Sequence, residues 1–307
     1  MGSKVYWKNV WSSGGTAGET KNTSSQPKWG RGYRGVTSFS RAPFAGNGDD
    51  LRVAILAGGV GNLLGGDTEV GPKPMVEIGG YPMVWHIMRH YLSYGFNEFV
   101  IAAGYMGRRF KQYFAAYHMT QSDVRINVTT GSVQRHGRLA TDAWTVDVID
   151  TGRWTETGGR VLRLAPFLGD TTFMLTFGDA VSDVDLLALL ELHKSHGRLA
   201  TITVVHPPPR FGELRLDQDR VASFSEKPME SAWINGGYMV LEPGVFEYIE
   251  GDDEPLSPGP LERLSKDNQL AAYKHIGFWQ SMDTLRDRSL LERLWNSGAP
   301  PWRVWEQ

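Results

Sequence analysis

With 307 residues, a net charge of −2, a pI near 6.5 and no cysteine, the chain offers no broad basic surface for nucleic acid, no disulfide, no thiolate zinc site and no cysteine nucleophile. No apolar run approaches the roughly 20 residues needed to span a bilayer, and no signal-peptide core is present at the N-terminus. The expectation is a cytoplasmic protein with neither a nucleic-acid nor a membrane partner.

Residues 1–50 are rich in Gly, Ser, Thr and Asn and sustain no apolar period, so they are predicted to form an irregular arm. The arm is mildly basic, and Tyr6, Trp7, Trp11, Trp29 and Tyr33 give it more aromatics than a passive tail needs. From Leu51 the pattern changes. Val53–Leu56 reads as a buried strand, Met83–Tyr94 as a helix closed by Gly95, Glu98–Ala103 as a strand and Arg108–Tyr117 as a helix. Short links between these elements predict a right-handed parallel βαβ unit. Val124–Thr130 and Trp144–Ile149 are read as strands, with a polar loop between them. Thr172–Phe177 is a strong buried strand, followed by a helix at Val184–His196 and a strand at Leu199–His206. After Pro207-Pro208-Pro209 come shorter β segments (Gly212–Leu216, Val221–Ser225, Ile234–Leu241), which suggest a smaller β-rich subdomain. Helices at Leu261–Lys266 and Met282–Trp295 close a domain predicted to run from 51 to 307.

Several stretches carry chemistry. Ala57-Gly58-Gly59 follow the first strand directly, and a strand ending in a Gly-rich turn lets backbone N–H groups approach a phosphate. Pro72-Lys73-Pro74 then sets one lysine on stiff backbone. Asp179 ends a central strand, where ligands bind in open α/β sheets, and suits either Mg²⁺ or a helix N-cap. Asp283 is open to the same two readings. Glu226-Lys227-Pro228 pairs a carboxylate with an ammonium, as a sugar phosphate requires, or is a surface turn. Asn235-Gly236-Gly237 weaken an apolar strand, which suggests a close approach by something else. Thr157-Gly158-Gly159-Arg160 offers a hydroxyl, N–H groups and a guanidinium, although Arg160 reads equally as a solvated charge.

Together these motifs resemble the sugar-1-phosphate nucleotidyltransferases, and most nearly the glucose-1-phosphate cytidylyltransferases. The likeness runs from about Arg52 to Glu306 through AILAGGVG, PKPMVEIGGYPMVWHIM, the DTG and TGGR pair, FGD, RFGEL, EKP, INGGYMVL and GFWQSMDTLRD. It implies a Rossmann-like wound mixed sheet with a smaller β-rich sugar-binding subdomain. It also implies attack of a sugar 1-phosphate on the α-phosphate of CTP or another nucleotide. Under that resemblance Lys73, Asp179 and Asp283 are catalytic, Asp179 and Asp283 hold Mg²⁺, and Ala57, Gly58, Gly59, Gly61 and Lys73 bind the nucleotide. Glu226, Lys227, Asn235 and Gly236 then take the sugar phosphate, and the protein is a homo-oligomer.

The chain departs from the family pattern at Leu63 and Gly71, which stand where arginines are expected around the triphosphate, at Ala180 after the metal aspartate, and at Gly259. Losing an oxyanion donor costs roughly 10²–10³ in rate. Three readings therefore stand: a cytidylyltransferase weakened or rewired at the triphosphate, a non-catalytic binding or assembly subunit, and altered chemistry on the same scaffold. Arg31, Arg34 or Arg41 of the arm are candidate replacements for the missing charge.

Overall fold

The computed structural model describes residues 51–59, 71–136, 143–208, 213–225 and 232–306. The predicted arm at 1–50 lies outside the described residues, as do Gly61, Leu63, Glu226 and Lys227. The elements in order are β1 (Arg52–Leu56), β2 (Glu77–Ile78), β3 (Tyr81–Pro82), α1 (Met83–Ser93), β4 (Glu98–Ala103), α2 (Arg108–Thr120), β5 (Asp123–Asn127), β6 (Ser132–His136) and β7 (Thr145–Asp150). They continue with α3 (Thr157–Leu168), β8 (Phe173–Phe177), β9 (Ala180–Ser182), α4 (Leu186–His196), β10 (Ala200–Val205), β11 (Glu213–Asp217), β12 (Arg220–Ser225) and β13 (Ile234–Leu241). The last are α5 (Gly259–Lys266), β14 (Leu270–Lys274), β15 (Trp279–Ser281) and α6 (Leu285–Asn296).

One seven-stranded mixed sheet, in the order β14-β10-β13-β8-β1-β4-β7, organises these elements. β1 pairs in parallel with β4 and β8, and β4 in parallel with β7, so four carboxyl ends open side by side on one edge. The expected βαβ unit is present. The apolar run of β1 is explained by its position: Val53 and Ile55 pack into one core cluster with Met83, Ile87 and Leu189, while Ala54 and Leu56 pack into a second with Val161, Leu164 and Phe246. Both faces are covered by helices, so every position on the strand is apolar instead of every other one.

Three elements differ from the sequence reading. Ile234–Leu241 does not join a separate subdomain. As β13 it enters the central sheet, antiparallel to both β8 and β10, while the two segments before it, β11 and β12, pair with each other. The stretch read as a loop after Thr130 contains β6, which pairs with β5 in a largely exposed hairpin that no core pattern marks. Thr157–Leu168 is a helix, α3, that the glycines at 158 and 159 hid from a periodicity reading.

Candidate active site

Asp179 follows β8 by two residues, at the carboxyl edge beside the end of β1. Asp283 reaches the same place through the antiparallel pairing of β15 with β9, which sets Ser281 opposite Ala180, and the Met282 N–H donates to the Asp179 carbonyl at 2.8 Å. Lys73 opens the 3₁₀ turn Lys73–Met75 after Pro72. Its ammonium lies 3.6 Å from Asp179 Oδ2 and donates to Asp283 Oδ1 at 2.8 Å. Three side chains that are up to 210 residues apart in sequence thus form one charged cluster. Both N-cap readings are corrected. α4 is capped by Asp185, which accepts from the Ala188 N–H, and α6 by Thr284, reciprocally with Asp287. Neither Asp179 nor Asp283 is used up by a helix end.

The electrostatics follow from this geometry. Burial pushes the Asp179 carboxyl above its ordinary range, Lys73 opposes that shift, and the Asp283 charge adds to it. Burial acts to lower the Lys73 ammonium, but the Asp283 hydrogen bond and the two carboxylate charges prevail and raise it. Ser281 Oγ donates to Asp283 Oδ2 at 2.7 Å and so fixes the carboxylate's orientation.

Ala57, Gly58 and Gly59 line a cavity of about 170 Å³ together with Lys73, Pro74, Thr157, Arg160, Phe177, Gly178 and Asp179. Arg160 shapes that cavity and is not a solvated charge: it is 3% exposed. Its guanidinium donates to the carbonyls of Gly58 at 2.8 Å and Gly152 at 2.7 Å and to Thr151 Oγ1 at 2.7 Å. Burial draws its pKa down, yet it is satisfied by neutral oxygens, so a positive charge stands under the glycine turn. The glycines of the TGGR motif do not present free N–H groups either, because those of Gly158 and Gly159 donate to the Glu254 carbonyl.

Asn235 and Gly236 sit on β13, beside β8. Asn235 Oδ1 accepts from the Gly237 N–H at 2.9 Å, and the Gly236 carbonyl accepts from Trp279 Nε1 at 2.8 Å. They flank the cavity through Phe177, which a Cβ on Gly237 would approach to 2.7 Å, but they are not among its lining residues. Gly71 has φ +84°, and a Cβ there would lie 2.7 Å from Arg109 Nη1. The guanidinium of α2 therefore occupies the space where a side chain at 71 would begin. Sequence reasoning gave no role to Arg109, Ser281 or Thr151; Thr151 and Ser281 lie within the DTG and GFWQSMDTLRD stretches, whereas Arg109 belongs to no motif and is brought near the site by the fold alone.

No cluster of three or more His, Cys, Asp or Glu is present among the described residues; two carboxylates at one strand edge could hold an ion that keeps most of its waters. Mg²⁺ is such an ion, bound through one or two carboxylates plus substrate phosphates. Asp179 and Asp283 are the residues able to hold it.

Comparison with known proteins gives the family. The family model "Nucleotidyl transferase" matches residues 52–278. The chain is 44% identical over 258 residues to a glucose-1-phosphate cytidylyltransferase of Salmonella typhi, an alignment covering 83% of this chain and 100% of that protein. It is 38% identical to a probable glucose-1-phosphate cytidylyltransferase of Bacillus subtilis, again over 83% of this chain and 100% of that one. Solved structures share the fold: HddC from Yersinia pseudotuberculosis aligns with TM-score 0.57 at 22% identity over 80% of this chain and 99% of its own. A UDP-glucose pyrophosphorylase complexed with UDP-glucose aligns with TM-score 0.58 at 14% identity over 81% and 99%. The chain thus belongs to the nucleotidyl transferase family, among its sugar-1-phosphate nucleotidyltransferases, and is similar to the glucose-1-phosphate cytidylyltransferases.

Proposed function

We propose that the protein transfers CMP from CTP to glucose 1-phosphate and releases pyrophosphate. A phosphate oxygen of the sugar forms a bond to the α-phosphorus of CTP as the bond from that phosphorus to the bridging oxygen of pyrophosphate breaks. The observation that carries this reading is the meeting of Lys73, Asp179 and Asp283 beside the Gly58 turn at the carboxyl edge of the sheet. Such a transfer is driven mainly by in-line positioning and charge neutralisation, which these groups are placed to provide.

In this reading Asp179 and Asp283 hold Mg²⁺, which when bound neutralises phosphate charge and orients the α-phosphate. Lys73 pairs with phosphate oxygens, the Gly58 and Gly59 backbone lines the nucleotide, and buried Arg160 fixes the turn from below. Asn235 and Gly236, with Glu226 and Lys227, are assigned to the sugar phosphate. Relatives matched over their whole length favour catalysis over a non-catalytic binding or assembly subunit. A homo-oligomer completes the proposal, supported by Ile126, Val128 and Val133 exposed on the β5–β6 hairpin; sedimentation velocity tests it.

Incubation with CTP, Mg²⁺ and glucose 1-phosphate is expected to release pyrophosphate. Lys73→Ala is expected to lower the rate roughly 10²–10³-fold, the usual cost of one preorganised charge partner. Wild-type release no faster than that of Lys73→Ala overturns the assignment, and parallel runs with UTP, GTP and ATP test the choice of base.

A further inference from the structure

The two carboxylates that meet Lys73 both ride on the β9–β15 ribbon. Asp179 immediately precedes β9 and Asp283 follows β15 by two residues, so one end of the ribbon carries both. The ribbon is a two-stranded sheet of its own, three residue pairs long, and has no place in the seven-stranded order. A ribbon so short is marginal by itself in water, so its outside ties decide how precisely the two carboxylates face each other. At the carboxylate end the Tyr238 hydroxyl donates to the Ala180 carbonyl at 3.2 Å. On the other strand, Trp279 Nε1 reaches the Gly236 carbonyl of β13.

The end away from the carboxylates is held by a knot of polar groups around the Phe278 carbonyl. That oxygen accepts from the Asp183 N–H at 3.2 Å and from Ser182 Oγ at 2.8 Å. His275 Nε2 lies 3.2 Å from the same carbonyl and 2.9 Å from Asp183 Oδ1. Since a carbonyl and a carboxylate can only accept, the ring carries its hydrogen on Nε2. His275 is buried, and its backbone N–H donates to the Val204 carbonyl at 3.0 Å, one step beyond the β10–β14 ladder. The imidazole therefore joins the ribbon to the central sheet. Gly277 lets the turn close over it, because a Cβ there would collide with Asp183 Oδ1 and His275 Cε1. Neither His275 nor Asp183 lines the cavity at the Gly58 turn.

We infer that His275 and Asp183 are positioning residues: they clasp the far end of the ribbon to the central sheet and so set the separation of Asp179 and Asp283. This inference rests on the proposed use of those carboxylates to hold a divalent ion. Without the imidazole the Phe278 carbonyl keeps its Ser182 and Asp183 donors, so the ribbon stays paired but loses this tie. A displacement of about 1 Å at the carboxylates is then enough to weaken a two-ligand site, as loss of outer partners weakens metal sites generally.

Titration with Mn²⁺ alone, followed by electron paramagnetic resonance, reads the carboxylates independently of turnover. His275→Ala is expected to raise the Kd for Mn²⁺ on the order of 10-fold. His275→Gln, whose side-chain amide can still donate to both oxygens, is expected to stay near wild type. Asp183→Ala should match His275→Ala, and the double variant should be no weaker than either alone, because each change opens the same clasp. Asp183→Asn keeps an acceptor for His275 and loses only charge, so it too should stay near wild type. The two Asp183 variants decide the question by themselves if His275→Ala does not fold. Mn²⁺ affinity unchanged in the alanine variants, even with a lowered melting temperature, overturns the clasp and leaves the transferase reading standing. Equal weakening in Asp183→Asn and Asp183→Ala overturns it too, since charge alone then accounts for the loss. Mn²⁺ binding weakened in the alanine variants only, without pyrophosphate release by wild type, supports the clasp and overturns the transferase reading. No binding of Mn²⁺ by wild type overturns the clasp, whatever the rate of pyrophosphate release.

Discussion

At position 71 the family pattern and the local geometry pull in opposite directions. On the family pattern alone, Gly71→Arg restores a missing charge and raises turnover. The structure points the other way, because φ is +84° and Arg109 Nη1 stands 2.7 Å from where Cβ would be. A left-handed non-glycine residue costs about 1–2 kcal/mol before any clash is counted. Gly71→Arg is therefore expected to lower the melting temperature and leave pyrophosphate release no faster than wild type. A faster, equally stable variant would show that Arg109 yields readily and that the loop lacks only charge. Residue-level reading succeeded where chemistry is local: the Pro-flanked Lys73 was legible, as was Asp179 after a strong strand. It left Arg160 open between a site guanidinium and a solvated charge, because the carbonyl that it reaches lies 102 residues away in sequence.

Elements carry the site as much as residues do. α3 contributes Arg160, whose donors satisfy the Gly58 and Gly152 carbonyls. Arg160→Met removes the shorter of two bonds to the Gly58 carbonyl, which keeps the Tyr105 N–H at 3.4 Å, and the guanidinium bond to the Gly152 carbonyl, at about 1–3 kcal/mol for a buried oxygen that loses its donor. It should shift the urea midpoint and weaken CTP binding together, because the same bonds hold the turn. CTP affinity that survives the stability loss would separate Arg160 from the nucleotide. α6 acts on Asp283 in a similar way. Its capping box joins Thr284 to Asp287, and Asp287 Oδ2 also accepts from the Asp283 N–H at 3.2 Å. Thr284→Ala should cost about 1 kcal/mol and loosen Asp283, which Mn²⁺ titration followed by electron paramagnetic resonance would report as weaker binding. Helices with an apolar stripe, such as α1, were readable from periodicity. α3 opens on two glycines that exist for close packing against the 252–256 segment, so its sequence signals a loop.

For the whole molecule, the sheet order could not be read from the chain. Apolar runs show that a strand is buried but not which neighbour it takes, and β13 sits between β8 and β10 through pairings that no local motif marks. Global stability should depend on pH through two core histidines. His86 Nε2 donates to the Ile78 carbonyl at 2.9 Å while its Nδ1 accepts from Trp302 Nε1 at 3.3 Å, so the ring is held neutral between β2 and the C-terminal segment. Burial lowers His86 and His90 from 6.5 to about 4. Between those values the unfolded chain binds protons that the folded one refuses, so stability is full above pH 6.5 and falls towards pH 4. Each group contributes at most roughly 3 kcal/mol to that loss. Urea unfolding at pH 7 and pH 4.5 should show it, and His90→Gln should flatten the slope; an unchanged slope would place the loss on other groups.

The ammonium of Lys73, 2.8 Å from Asp283 and 3.6 Å from Asp179, is an internal cation seated where an external one would arrive. A divalent ion held by these carboxylates would take over that charge, and Lys73 would then be available to phosphate oxygens. Mutating the lysine should then separate two properties usually lost together. Lys73→Ala is expected to bind Mn²⁺ more tightly than wild type, since two facing carboxylates have lost the cation they share. The same variant is expected to turn over more slowly, so one residue would both serve transfer and limit how firmly the resting site holds a divalent ion.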